Sequence, residues 1–165
     1  MLADTHLRTA SPGRHGPARQ LPGAVWQHLC GADVILHAGD VCDAGVLESL
    51  GKVAPVYAVL GNNDGCLEGL LPVRRVVELA GLRFGMVHDS GASTGREARM
   101  QRLFAGTDVV VFGHSHAPMD EFGQGGQLLF NPGSPTQRRA QRVHTMGEIL
   151  VADGALVEHR IIPLD

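Results

Sequence analysis

The sequence predicts an α/β sandwich, with a mixed sheet first and antiparallel strands after it. Three observations predict it. Short, β-branched-rich apolar runs end in glycine-rich punctuation, amphipathic stretches separate some of them, and hairpin patterns replace helical ones after about residue 106. At 165 residues, 44% hydrophobic and 19% charged, the chain is read as a single domain, residues 1–165, with a real core.

The elements follow in order. A helix is expected over Ala24–Cys30, a strand over Asp33–His37, a helix over Ala44–Leu50 and a strand over Val56–Leu60. Leu82–Val87 reads as a strand, and Thr94–Phe104 as a helix. In that helix Ala98, Leu103 and Phe104 would face inward, leaving Arg96, Glu97, Arg99 and Arg102 wet. Asp108–Phe112 reads as a strand, and its nearly continuous apolar character fits burial on both faces. Met119–Asn131 reads as a hairpin turning at 123–126; His144–Ala152 and Leu156–Pro163 make another, turning at Asp153-Gly154. Ser11–Pro22 is a loop long enough to be functional or mobile.

Composition excludes several function classes. A net charge of −3 and 4% aromatics argue against broad nucleic-acid binding and against a base-stacking platform. Cys30, Cys42 and Cys66 are odd in number and widely spaced, which fits buried or half-buried reduced thiols rather than a disulfide frame or a thiolate zinc site. No apolar run is long enough to cross a membrane, and Asp4 and His6 follow Met1 too soon for a signal peptide. A cytoplasmic location is expected. Nine histidines then stand out.

Polar donors gather just after the strands: Asp4, His6, Asp40, Asn62, His88, His114 and His116. That is where open α/β sheets place their ligands. Mixed imidazole and carboxylate donors without thiolate suit Mn, Fe, Zn, Ni or Co. Seven donors exceed one tetrahedral site and suit two ions sharing a carboxylate at ~3.5–4 Å. Asp-x-His and His-x-His each put two donors on one side of an extended segment. Glycines before Asp40, Asn62 and His114 allow close backbone approach.

Asp4-Thr5-His6, Gly39-Asp40, Gly61-Asn62-Asn63-Asp64, His88 and Gly113-His114-Ser115-His116 together resemble the calcineurin-like metallophosphoesterase superfamily. Small size, and Asn131-Pro132-Gly133-Ser134 before the last hairpin, resemble its YfcE-type phosphodiesterase branch. The resemblance implies a four-layer α/β/β/α metallophosphoesterase sandwich. It implies that Asp4, His6 and His116 hold one metal, that Asn62, His88 and His114 hold the other, and that Asp40 bridges them. The cofactors implied are two divalent ions, Mn2+ first, with Ni2+, Zn2+, Fe and Co2+ also fitting. The reaction implied is in-line attack of metal-activated water or hydroxide on a small phosphodiester, with Asn62 orienting a phosphoryl oxygen.

The sequence departs from the family pattern in three places. Only Met1-Leu2-Ala3 precede the Asp-x-His motif, so the first strand reads as truncated by a late start, which should loosen Asp4 and His6. Asn63 stands where many relatives carry a proton-donating His, which leaves Asp64 either as proton donor or as a hydrogen-bond acceptor behind the ligands. Asp89-Ser90-Gly91 follows His88 where relatives read Gly-His, so a phosphate-contacting imidazole is missing.

His15, His28, His37, His144 and His159 are read as structural or solvated. Arg138, Arg139 and Arg142 are read as a solvated face or subunit contact, with phosphate contact as the second reading. The partner expected is a small phosphodiester or nucleotide-like substrate, with no membrane, and a homo-oligomer is compatible with the late hairpin edges. The alternatives are a phosphomonoesterase with the same site and a non-catalytic scaffold of the retromer-subunit type.

Overall fold

A computed structural model describes residues 1–7 and 20–164. Residues 11–19 of the expected loop, with His15, lie outside the described residues. The order is α1 (Gly23–Leu29), β1 (Ile35–His37), α2 (Ala44–Gly51), β2 (Val56–Ala58), β3 (Arg74–Leu79), β4 (Leu82–Val87), α3 (Arg96–Leu103), β5 (Val109–Val111), β6 (Met119–Phe122), β7 (Leu128–Asn131), β8 (Thr145–Ala152) and β9 (Ala155–Pro163).

Two sheets face each other. One has strand order β3-β4-β5-β7-β6, with β4, β5 and β7 parallel and the edges antiparallel. In the other layer β1 pairs in parallel with β2, and β8 pairs with β9. Met1 and Leu2 join these pairs. Leu2 bridges His37 in parallel, and Met1 exchanges two backbone bonds with Gly147 at 2.8 and 3.0 Å.

Side-chain alternation builds four layers. Ile35 of β1 packs with Val25, Leu29, Val46 and Leu50 of α1 and α2, whereas its neighbour Leu36 faces Phe84, Met86, Val109, Val111 and Phe130 across the inter-sheet core. Val110 points the other way, to Met100 and Phe104 of α3. The runs are apolar on both faces because both faces are covered. This is the α/β/β/α sandwich.

Four expectations need correction. Leu103 is 37% exposed, while Met100 and Phe104 form the inward stripe of α3 at i, i+4 spacing. Arg96 and Arg99 are not simply wet, since Arg96 lies over the Phe112 ring at 5.2 Å and Arg99 donates to Ser90 O at 2.7 Å. Strand β3 was not anticipated: only every second residue is half-buried, and the two arginines that open it blur the apolar pattern. Of the cysteines only Cys42 is buried; Cys30 and Cys66 are exposed.

Candidate metal centre

The C-terminal ends of the parallel strands meet along one edge of the sandwich. Asp4 and His6 follow Leu2, Asp40 follows β1, Asn62 follows β2, His88 follows β4, and His114 and His116 follow β5. The backbone is bent hard there. Asp4, His6, Asp40, His114 and His116 all have positive φ, between 45° and 67°. Left-handed non-glycine residues cost of order 1 kcal/mol each and persist where the surroundings hold them for function.

Close approach explains two of the glycines. A Cβ at Gly61 would lie 2.2 Å from Asp40 N, and one at Gly113 would lie 2.8 Å from Asp4 Oδ2. The Asp-x-His segment is pinned rather than loose. Asp4 N donates to Gly39 O at 3.0 Å and His6 N to Asp40 O at 2.9 Å. Ser134 Oγ donates to Asp4 O at 2.7 Å and Thr136 Oγ1 to Thr5 O at 2.6 Å.

All seven predicted donors come together. His116 Nε2 lies 3.4 Å and His6 Nε2 3.8 Å from Asp4 Oδ1, and the two imidazole nitrogens are 3.2 Å apart. Asp40 Oδ2 lies 3.5 Å from His6 Nε2 and 3.4 Å from His88 Nε2. Asn62 Oδ1 sits 3.0 Å from His88 Nε2 and 2.9 Å from His114 Nδ1.

The tautomers make this a cation cradle. His88 Nδ1 faces Ala38 O at 2.8 Å and His116 Nδ1 faces Gln137 O, so in both neutral rings Nδ1 donates and the Nε2 lone pair points into the basin. Those lone pairs meet carboxylate and amide oxygens, which are acceptors too. Both oxygens of Asp4 are buried without a well-formed hydrogen bond among the described residues. Acceptors converging on acceptors are repulsive unless a cation lies among them, and a buried unpaired carboxylate is costly. The donor set therefore fits divalent metal, in the groups Asp4–His6–His116 and Asp4–Asp40–His88, whose ligand atoms lie within 4.8 Å of one another.

The electrostatics agree. Burial pushes the Asp4 carboxyl up to about 7, against the pull of His88. Burial would also raise Asp40, but the pull of the His88 ring in its charged form and the N–H donors of Asn63 outweigh it and hold that carboxyl below the usual range. Burial lowers His116 to about 4 and also lowers His6. For His88 the opposing pull of Asp40 and Ala38 wins over burial and raises it.

Asn63 N donates to Asp40 Oδ1 at 2.8 Å, and Asn63 Nδ2 donates to Asp40 Oδ2 at 2.7 Å. Asp64 is fully buried and accepts from the backbone N–H groups of Asp40, Cys42 and Gly61 at 2.9, 2.6 and 2.8 Å. That placement ties Asp64 to the Asp40 loop and occupies its carboxylate as a hydrogen-bond acceptor behind the candidate ligands. Asp89 Oδ1 turns back to accept from Gly91 N at 2.7 Å. His28 is exposed, and His159 pairs with Asp120 at 2.6 Å, away from the basin.

Sequence reasoning assigned no bracing role to Asn131, Ser134 or Thr136. Asn131 Nδ2 donates to Gly113 O and Ser115 Oγ, both at 3.1 Å, and so braces the His-x-His loop. Its signal was present: a polar residue ending a strand parallel to β5.

Fold and site together define an α/β sandwich with a nitrogen- and oxygen-lined cation centre at its strand ends. The calcineurin-like phosphoesterase superfamily domain matches residues 1–153, and the chain belongs to that superfamily. Two archaeal proteins named "Probable metallophosphoesterase" are each 33% identical to it. The one from Methanocaldococcus jannaschii aligns with 100% of this chain and 80% of its own length, and the one from Methanothermobacter thermautotrophicus with 98% and 90%. Among solved structures, Vps29 of Entamoeba histolytica complexed with zinc superposes with a TM-score of 0.72 at 20% identity, covering 99% of this chain and 96% of that one. A structure described as a novel archaeal phosphodiesterase gives 0.69 at 24% identity, over 99% and 97%. These structural likenesses show the fold.

Proposed function

We propose that the chain is a metal-dependent phosphodiesterase acting on a small phosphodiester. The observation that carries this reading is Asp4, whose two buried oxygens have no well-formed hydrogen bond among the described residues while imidazole nitrogens converge on Oδ1. In this reading Asp4, His6 and His116 hold one divalent cation, Asn62, His88 and His114 hold a second, and Asp40 touches both, with Mn2+ the first ion to try. When bound, the ions supply Lewis-acid neutralisation of phosphoryl charge and a nucleophile from water at neutral pH.

The chain's own residues do the rest. Asn62 turns Oδ1 toward two imidazoles, which leaves its N–H groups for a phosphoryl oxygen. Asn63 clamps Asp40 and carries no proton to give at neutral pH. A leaving group that departs without protonation therefore suits the site, which favours aryl or otherwise activated diesters.

Purified chain with Mn2+ is expected to hydrolyse an aryl phosphodiester faster than the matching monoester. The reverse preference would point to the phosphomonoesterase reading. No turnover and no bound metal with Mn2+, Ni2+, Zn2+, Fe2+ or Co2+ would leave the scaffold reading, which needs none of these converging donors.

A further inference from the structure

The segment after β7 carries three arginines, and the structure separates them. Arg138 Nη1 turns into its own turn, donating to Gln141 O at 2.8 Å and Arg142 O at 3.3 Å. Arg139 has φ +50° and reaches the opposite way, its Nη1 donating to His114 O at 3.0 Å. It is exposed, so its remaining N–H groups are open to solvent beside the basin.

The base of this segment is tied to the metal-ligand loops. Ser134 Oγ accepts from Thr136 N and Gln137 N while donating to Asp4 O, and Gln137 O accepts from His116 Nδ1. The guanidinium is thus held at the rim next to His114 rather than swinging free. Its anchor, His114 O, lies two residues before His116 on the same loop.

From this placement we infer that Arg139 binds the phosphoryl group of the substrate, presenting a charged, planar pair of N–H donors to its non-bridging oxygens. The inference rests on the phosphodiesterase reading and names a substrate-contacting residue within it. A guanidinium suits this task because its fork matches two phosphoryl oxygens, and it stays charged at every working pH.

Arg139→Gln is the informative variant, because the Gln amide can still donate to His114 O but carries no charge. With Mn2+-loaded protein, KM for an aryl phosphodiester and Ki for inorganic phosphate are both expected to rise about 10-fold. The Mn2+ content and kcat should be nearly unchanged. Arg139→Lys should fall between, and Arg138→Gln should match the parent. Equilibrium dialysis of phosphate reads the same contact without turnover, so loss of phosphate binding supports the inference even if diesterase activity fails. Unchanged KM, Ki and phosphate binding in Arg139→Gln would overturn it. So would a fall in Mn2+ content that tracks a fall in kcat, since Arg139 would then only prop the His114 loop.

Discussion

Asp4 and Asp40 lie on neighbouring loops of one basin, and neither exposes more than 1% of its surface. Their chemistry is opposite. Asp40 receives N–H donors from Asn63 on both oxygens and is held ionised. Asp4 has no side-chain donor and no well-formed hydrogen bond on either oxygen among the described residues, and burial pushes its carboxyl up to about 7, with the His114 backbone N–H offsetting only a little of it. Two carboxylates equally hidden from solvent thus reach different states, in part because the donors around a carboxylate offset what burial does to it. Asp40 has protein N–H donors on both oxygens, whereas Asp4 has no side-chain donor among the described residues, and in the proposed reading a cation takes that place.

The largest effect expected is on turnover. Asp40→Asn removes the charge lying between His6 and His88 and should lower diester hydrolysis by about 10³-fold, read as kcat/KM with Mn2+. Next is Gly61→Ala, whose methyl would press on Asp40 N and Oδ1 at 2.2 Å. It should cost about 3 kcal/mol in urea unfolding and reduce Mn2+ retention.

Asp4→Asn sharpens the contrast, because stability and function should move in opposite directions. Metal-stripped Asp4→Asn is expected to be about 2 kcal/mol more stable than the parent at pH 8, because a buried unpaired charge is gone. A carboxyl raised above its unfolded value destabilises where it must ionise, so the gain should fade as pH falls through about 7 toward 4. Mn2+ should stabilise the parent and not the variant. If Asp4→Asn is instead less stable than the parent at pH 8, the claim that Asp4 lacks a protein partner fails.

The smallest effect concerns His37, which is fully buried beside Thr5 Oγ1 at 3.1 Å and is lowered by burial to about 3. The unfolded chain takes up this proton first, so the stability it carries is complete above about pH 6.5 and is lost as pH falls from there toward 3. The parent should lose about 1 kcal/mol from this group between pH 7 and 5.5, and His37→Gln should show a flatter profile in urea titrations at the two pH values.

Much of the fold was legible because its strands are buried on both faces. Ile35 and Leu36 serve different cores, and so the sequence shows them as one unbroken apolar run. Strand β3 was not legible, because an edge strand with alternate residues in solvent carries too little apolar signal. The ligands were legible because each ends a strand. The residues that aim them were not. Asp64 was the exception, read as an acceptor behind them, whereas Asn131, Ser134 and Thr136 act on distant loops, and Ser134 bonds Asp4 O across 130 positions. Such partnerships depend on topology, which no local spacing encodes.

The central claim, that converging lone pairs and an unpartnered carboxylate hold two cations, is tested most directly by counting ions. Elemental analysis after equilibrium dialysis against Mn2+ should give two ions per chain for the parent, and one or fewer for Asp4→Asn. No retained ion in the parent, or an unchanged count in Asp4→Asn, would contradict it.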